Sequence, residues 1–412
     1  MSDQARRALE ECRTIATMSE EPGRTTRRFL TPPVHQVHRH LRMRMESLGM
    51  TVHVDAVGNL RGVWQPPGAS NRRLVLGSHI DTVPDAGAFD GVLGVVLALE
   101  WVQIAKDAAL PIAIEVIAFS EEEGVRYGVP FIGSRAVAGT FDPGILAYED
   151  AEGVRMDEAI RGFGLDPEKI GEAKLDDDAY AFVEIHIEQG PVLESENLQV
   201  AVVEGIVGQA RLGFRFLGQA NHAGTTPMHM RRDALAAAAE WIGVVESLVR
   251  KASQEEEPGL VATVGKIAIL PNAGNVIPGL VDLSLDFRHM SNETRSWWCH
   301  RLIKEAESIG NRRGITVEHV SKMNEPAVEM DNLVSVRLIQ AMEDAGFPVK
   351  KMPSGAGHDA MIMAGRLPTA MLFLRSPGGL SHHPEEAVRE EDVEAALLVG
   401  EKFLQRLAAE VA

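Results

Sequence analysis

Four apolar runs, at 74–76, 112–119, 180–187 and 368–374, are nearly continuous rather than alternating, the pattern of strands buried on both faces of a parallel sheet. Between or beside them, apolar residues recur at helical spacing over 4–18, 34–48, 92–107, 134–138 and 391–409. This alternation predicts an open α/β sheet whose ligand crevice lies at the carboxyl ends of the strands. From about 207 to 320 the pattern changes to strand 208–217, helix 231–252, strands 260–270 and 279–288, helix 292–312 and strand 314–320. That order, βαββαβ, is a ferredoxin-like split unit. The expectation is therefore a discontinuous domain, 1–207 with 322–412, interrupted by an α+β domain over 208–321. Gly205 and Gly208 on one side, and Lys322-Met-Asn-Glu-Pro326 on the other, are suited to hinges.

Composition narrows the function classes. With 412 residues and 45% hydrophobic positions there is ample core for more than one domain. The balance of 41 Lys+Arg against 59 Asp+Glu, a net charge of -18, argues against nucleic-acid and anionic-membrane partners, which need a basic surface. Only Cys12 and Cys299 are present, so neither a disulfide framework nor a thiolate metal cluster is available, and a reducing cytoplasm is the expected location. The N-terminus is charged with no apolar stretch behind it, and the most apolar span, 91–102, is broken by Glu100. Neither a signal peptide nor a transmembrane helix is expected.

Four strand ends carry the candidate chemistry. The first run delivers His79 and Asp81 into a loop that continues to Asp90-Gly91. The second is followed by Glu121-Glu122-Glu123; an acidic triplet is usually a solvated turn, but at the end of a buried strand it repels itself unless a cation neutralises it. The third closes with Glu184-Ile-His186-Ile-Glu188-Gln189. A lone histidine there is more often a hydrogen-bonded core residue, and the company of the other strand ends favours the ligand reading. The fourth leads to Ser381-His382-His383-Pro384-Glu385-Glu386, where adjacent histidines imply one ligand and one neighbour. Three imidazoles with two or three carboxylates and no thiolate suit two divalent ions sharing a carboxylate, with a neighbouring carboxylate as general base. Neither a G-x-S-x-G elbow nor an H-E-x-x-H helix is found, and the glycines at 91–94 and 355–357 lack dinucleotide-binding spacing.

These residues in this order resemble the two-metal M20 aminoacylase/carboxypeptidase family, and specifically its amidase/carbamoylase branch of N-carbamoyl-L-amino acid amidohydrolases, β-ureidopropionases and allantoate amidohydrolases. The branch rests on His186, Asn221-His222-Ala-Gly-Thr-Thr-Pro227, Asn272-Ala-Gly-Asn275, Asp286-Phe-Arg288 and Ser354-Gly-Ala-Gly357-His358-Asp359. The resemblance implies a mixed-sheet metallopeptidase-like catalytic domain with an inserted lid and dimerisation domain. It implies that His79, Asp90 and His186 hold one ion and Asp90, Glu123 and His382 the other, with Zn, Mn, Ni and Co all compatible. His383 stands where relatives often carry Asn or Ser; His382 aligns with the ligand. Asp81 would orient His79, and Glu122 would be the general base. Arg288 would grip a substrate carboxylate, assisted by Gln189, Asn275 and the Gly357 backbone. His222 would stabilise the developing oxyanion from the other subunit of a homodimer, although a histidine in such a turn could also merely cap the following helix. Residues 24–32 and 115–126 look most like allantoate amidohydrolases. N-carbamoyl-L-amino acid and β-ureidopropionate hydrolysis are the alternatives, and a non-catalytic metal-dependent binding protein is the alternative of another class.

Overall fold

The computed structural model describes residues 2–411. The chain begins with α1 (Ser2–Ala16), α2 (Pro32–Leu48), β1 (Thr51–Val54), β2 (Leu60–Trp64), β3 (Arg73–His79), α3 (Val92–Asp107), β4 (Ala113–Phe119), α4 (Ile132–Ala138), α5 (Met156–Gly162), β5 (Ala179–Ile187), α6 (Val192–Ser195) and β6 (Val200–Ile206). It continues through β7 (Gly208–Leu217), β8 (Asn221–His222), α7 (Ala234–Glu255), β9 (Val261–Leu270), β10 (Val276–Ile277), β11 (Leu280–His289), α8 (Asn292–Arg313) and β12 (Thr316–Glu325). Last come β13 (Val328–Glu329), α9 (Asn332–Asp344), β14 (Lys351–Ser354), α10 (Asp359–Met363), β15 (Thr369–Leu374) and α11 (Glu390–Val411). Two compact units result: residues up to 204 together with those from 329 onward, and residues 205–328.

The first unit is built on a mixed sheet ordered β1-β2-β4-β3-β5-β15-β6-β13, with β14 also paired to β6. Its centre, β4-β3-β5-β15, is parallel. Strand β2 joins β4 and β6 joins β15 antiparallel. The parallel strands are the continuous apolar runs of the sequence: β4 and β15 are buried at every position and β5 at every position but Tyr180. Helix α3, apolar nearly all round, packs against β3 and β5. Its buried acid, Glu100, is satisfied by Arg44 Nη2 at 2.7 Å and Gln4 Nε2 at 2.6 Å. The same rule, that a buried charge needs partners, places Glu115 of β4 between Arg61 and Arg73.

The second unit is a four-stranded antiparallel sheet, β12-β7-β11-β9. Its first and third long strands in chain order lie at the centre and its second and fourth at the edges, the ferredoxin-like arrangement. Alternation along β11 is strict, and its inward face joins Phe214, Phe216, Trp241, Trp298 and Leu302 in one core beneath α7 and α8. The polar tail of β12 continues past Val320 to Glu325 because backbone pairing with β7, Glu325 opposite Gln209, outweighs its poor apolar pattern. Helix α7 begins at Ala234, where the Asp233 carboxylate accepts the Ala236 N–H at 3.0 Å. Both cysteines are buried and unpaired, and among the described residues no helix is long and apolar enough to cross a membrane.

Candidate metal centre

Parallel strands carry their carboxyl ends to one edge, so residues more than 300 positions apart in sequence meet there. His79 is the last residue of β3, Glu122 and Glu123 follow β4, His186 lies one residue before the end of β5, and His382 sits in the loop after β15. Ligand-type atoms of His79, Asp90 and His186 lie within 4.8 Å of one another, and so do those of Asp90, Glu123 and His382. Asp90 belongs to both groups. Its Oδ1 is 3.2 Å from His186 Nε2 and 3.7 Å from His79 Nε2, whereas its Oδ2 is 3.2 Å from His382 Nε2. His382 Nε2 is also 3.3 Å from Glu123 Oε1.

The ring orientations follow from the other nitrogens. His186 Nδ1 lies 2.9 Å from the Ile187 carbonyl and His79 Nδ1 lies 3.1 Å from the Asp81 carbonyl and 3.3 Å from Asp81 Oδ1. Each Nδ1 therefore carries the proton in the neutral ring, leaving the Nε2 lone pair directed at Asp90. Asp81 does more than orient His79: its two oxygens accept the N–H groups of Glu122 and Glu123, at 2.9 and 3.1 Å, and so fix the acidic turn.

Two observations fit this donor set to divalent cations. Asp90 Oδ1 and His186 Nε2 are buried, close enough to attract, yet without hydrogen-bond geometry, so both are unsatisfied within the protein. Buried polar atoms in that state are rare unless something else binds them. The electrostatics agree. Burial opposes a charged His79, but the carboxylates of Asp81 and Asp90 outweigh it and hold the imidazole well above its ordinary value. Burial would raise the Asp90 carboxyl, and His186, His382 and His79 together hold it well below the usual range. His382 is pushed up to about 10 by Asp90 and Glu123. The carboxylates thus demand positive charge at these nitrogens, where protons and metal ions compete. A third group, Glu184, His186 and His358, is already engaged: Glu184 accepts Ser78 Oγ–H at 2.9 Å and Ala360 N–H at 2.7 Å, and His358 Nε2 lies 2.8 Å from Ser354 Oγ.

Gly91 makes the approach of Asp90 to His79 possible. Its φ of 66° and ψ of -55°, with the Val92 N–H donated to the Asp90 carbonyl at 2.7 Å, form a γ-turn in the left-handed half of conformational space. A methyl at this position would lie 2.4 Å from the His79 ring. Gly91→Ala is expected to displace that ring and lower kcat/KM by roughly 100-fold, the scale for misplacing a reacting group by about 1 Å. Steady-state kinetics beside a thermal melt would check this; unchanged kinetics would contradict it.

Of the remaining sequence candidates, Gln189 reaches the cluster, its Nε2 donating to Asp90 Oδ2 and to Ser381 Oγ at 3.1 Å each. The space over Gly357 is bounded by Phe131 and by Glu122 Oε1, 3.9 Å from where a Cβ would stand. His383 is exposed, and its Nδ1 accepts the Glu385 N–H. His222, Asn275 and Arg288 belong to the second unit. There the Asn275 carbonyl accepts the Ala223 N–H at 2.9 Å beside His222, and His222 pairs with Val276 between β8 and β10. His222 Nδ1 accepts from Gly224 N and Thr225 N, at 3.0 and 3.2 Å, which puts its proton on Nε2 in the neutral ring. Arg288 is held by Asp286, Nε to Oδ1 at 2.8 Å and Nη2 to Oδ2 at 3.3 Å. One residue of the centre had no role in the sequence reading: Glu386, buried against Asp90, because an acidic pair after a proline reads as solvent-facing turn.

Comparison with known proteins matches this architecture. Residues 75–409 fit the sequence profile of Peptidase family M20/M25/M40. The chain is 37% identical over 425 residues to allantoate deiminase 2 of Glycine max, covering 96% of this chain and 88% of that protein. It is 36% identical over 395 residues to the N-carbamoyl-L-amino acid amidohydrolase of Geobacillus stearothermophilus, covering 94% and 95%. The crystal structure of an amidase of the hydantoinase/carbamoylase family from Burkholderia multivorans is similar with a TM-score of 0.90 at 31% identity, covering 98% of this chain and 97% of that one. The chain belongs to Peptidase family M20/M25/M40.

Proposed function

We propose that the protein is a metal-dependent hydrolase of the ureido C–N bond of a carboxylate-bearing substrate, with allantoate first. The observation that carries this reading is the division of labour on Asp90, one oxygen facing His79 and His186 and the other facing His382. On this reading His79, Asp90 and His186 hold one divalent ion and Asp90, Glu123 and His382 a second, Zn or Mn first and Ni or Co compatible. When bound, the ions supply Lewis acidity to the scissile carbonyl and make water a better nucleophile at neutral pH.

The chain's own residues do the rest. Glu122, buried and beside Glu123, has its carboxyl pushed well above the usual range by burial and by that neighbouring charge. It is therefore suited to take a proton from the attacking water and return it to the leaving nitrogen, so that the ureido C–N bond breaks to give ammonia and a carbamate, which then loses carbon dioxide to leave the amine. Asp81 holds His79 and the acidic turn still during this exchange. The Nε2–H of His222 is a donor for the oxygen that becomes negative, supplied across a homodimer formed through the second unit as lid. Edge strand β9, which exposes Val261, Ile267 and Leu270, is a suitable seam for that dimer. Arg288, preset by Asp286, grips the substrate carboxylate with Gln189, Asn275 and the Gly357 backbone assisting.

Arg288→Ala is expected to raise KM by about 10- to 100-fold with kcat little changed, the loss of one charge-assisted bond of about 1.5–3 kcal/mol. Unchanged saturation behaviour would remove Arg288 from the anchor role. N-carbamoyl-L-amino acids are the second reading, favoured by the Geobacillus stearothermophilus relative at 36% identity. Product assays across allantoate, N-carbamoyl amino acids, N-acetyl amino acids and dipeptides decide: ammonia release greatest from allantoate supports the proposal, and turnover of dipeptides without ammonia from any ureido compound overturns it.

A further inference from the structure

Glu386 lies in the turn after His382, 6% exposed, next to another buried carboxylate. Its Oε1 accepts the N–H groups of Phe89 and Asp90 at 3.0 Å each, and its Oε2 accepts the Ser381 hydroxyl at 3.1 Å. The same hydroxyl lies 3.3 Å from Asp90 Oδ2, so its single proton is shared between the two carboxylates. Gly87 completes the cradle: a methyl there would stand 2.4 Å from Glu386 Cβ. A second anion buried beside Asp90 is costly unless cations lie near, and three hydrogen bonds hold it there nonetheless.

We propose that Glu386 is a positioning residue that staples the Asp90 loop to the His382 loop, so that the cation site of Asp90, Glu123 and His382 keeps its geometry only while this carboxylate is in place. The inference rests on the proposed reading that those three residues hold an ion. Asp90 serves both ions, but the effect falls more heavily on that one for a structural reason. His79 and His186 stand on β3 and β5, independent of the 381–386 turn. His382 stands on that turn with a φ of 55°, a left-handed backbone that a non-glycine residue keeps only where its surroundings impose it.

Zinc titration against a chromophoric chelator, with elemental counting and circular dichroism, tests this on wild type, Glu386→Ala, Glu386→Gln and Gly87→Ala. Wild type is expected to bind two ions. Glu386→Ala should weaken the ion of Asp90, Glu123 and His382 by about 10- to 100-fold, the usual cost of losing a residue that supports a ligand, and the ion of His79, Asp90 and His186 by clearly less. Glu386→Gln should recover most of that loss, because its Oε1 still accepts both amides. Gly87→Ala should reproduce the selective loss with the carboxylate present but displaced. Two ions at wild-type affinity in Glu386→Ala, or equal weakening of both, overturns the inference. Should Glu386→Ala not fold, unchanged second-ion affinity in Gly87→Ala overturns it. A wild type that binds fewer than two ions overturns the metal reading itself, and this inference with it.

Discussion

Glu122→Gln is expected to leave both ions bound and the fold unchanged while turnover falls by about 10²- to 10⁴-fold, the usual contribution of a positioned general base. The substitution keeps shape and the backbone N–H that Asp81 accepts, so the acidic turn stays in place. What it removes is the proton acceptor. Glu122 also lies within ligand range of His79 and Glu123, so the same variant separates two roles. If Glu122 is the base, elemental analysis of the variant matches wild type and only the rate collapses. If it is a ligand, an ion is lost together with the rate, and the assignment of Glu123 falls. An unimpaired rate would exclude Glu122 from both roles.

Asp90→Asn is expected to have the larger effect on metal. Both ions should be weakened by more than about 100-fold, beyond the range for residues that merely support a ligand, and activity should drop to background. The amide nitrogen can accept no metal, so one of the two oxygens facing His79, His186 and His382 is lost whichever way the side chain turns. The remaining oxygen carries no full charge, and the attraction drawing cations to the three imidazoles is weakened, leaving Asp81 beside His79 and Glu123 beside His382. Tight retention of either ion in Asp90→Asn would mean that its site does not depend on this carboxylate.

How far the chain could be read in advance depends on where each feature stores its information. The parallel strands β3, β4, β5 and β15 are buried on both faces, so their sequences are continuous apolar runs, and the rule that ligands gather at their carboxyl ends selected His79, Glu122, Glu123, His186 and His382 as candidates. The edge strands gave no such signal. Strand β1 alternates between exposed and half-buried positions at the sheet edge, and β13 spans only Val328–Glu329; both owe their conformation to pairing with neighbours. The buried partners were equally hidden. Nothing in the local sequence links Glu386 to the Asp90 amide 296 residues earlier, or Arg61 to Glu115. Adjacent His382 and His383 are alike in spacing and differ only in space, where the first faces Asp90 and Glu123 and the second turns to the Glu385 amide.

An anomalous-difference map from crystals of the zinc- or manganese-loaded protein, collected at the metal edge, tests the central claim most directly. Two peaks about 3.5–4 Å apart, one on each side of Asp90, are predicted, the first reached by His79 and His186 and the second by Glu123 and His382. A single peak, or density centred among Glu184, His186 and His358 with Asp90 uncoordinated, would contradict it.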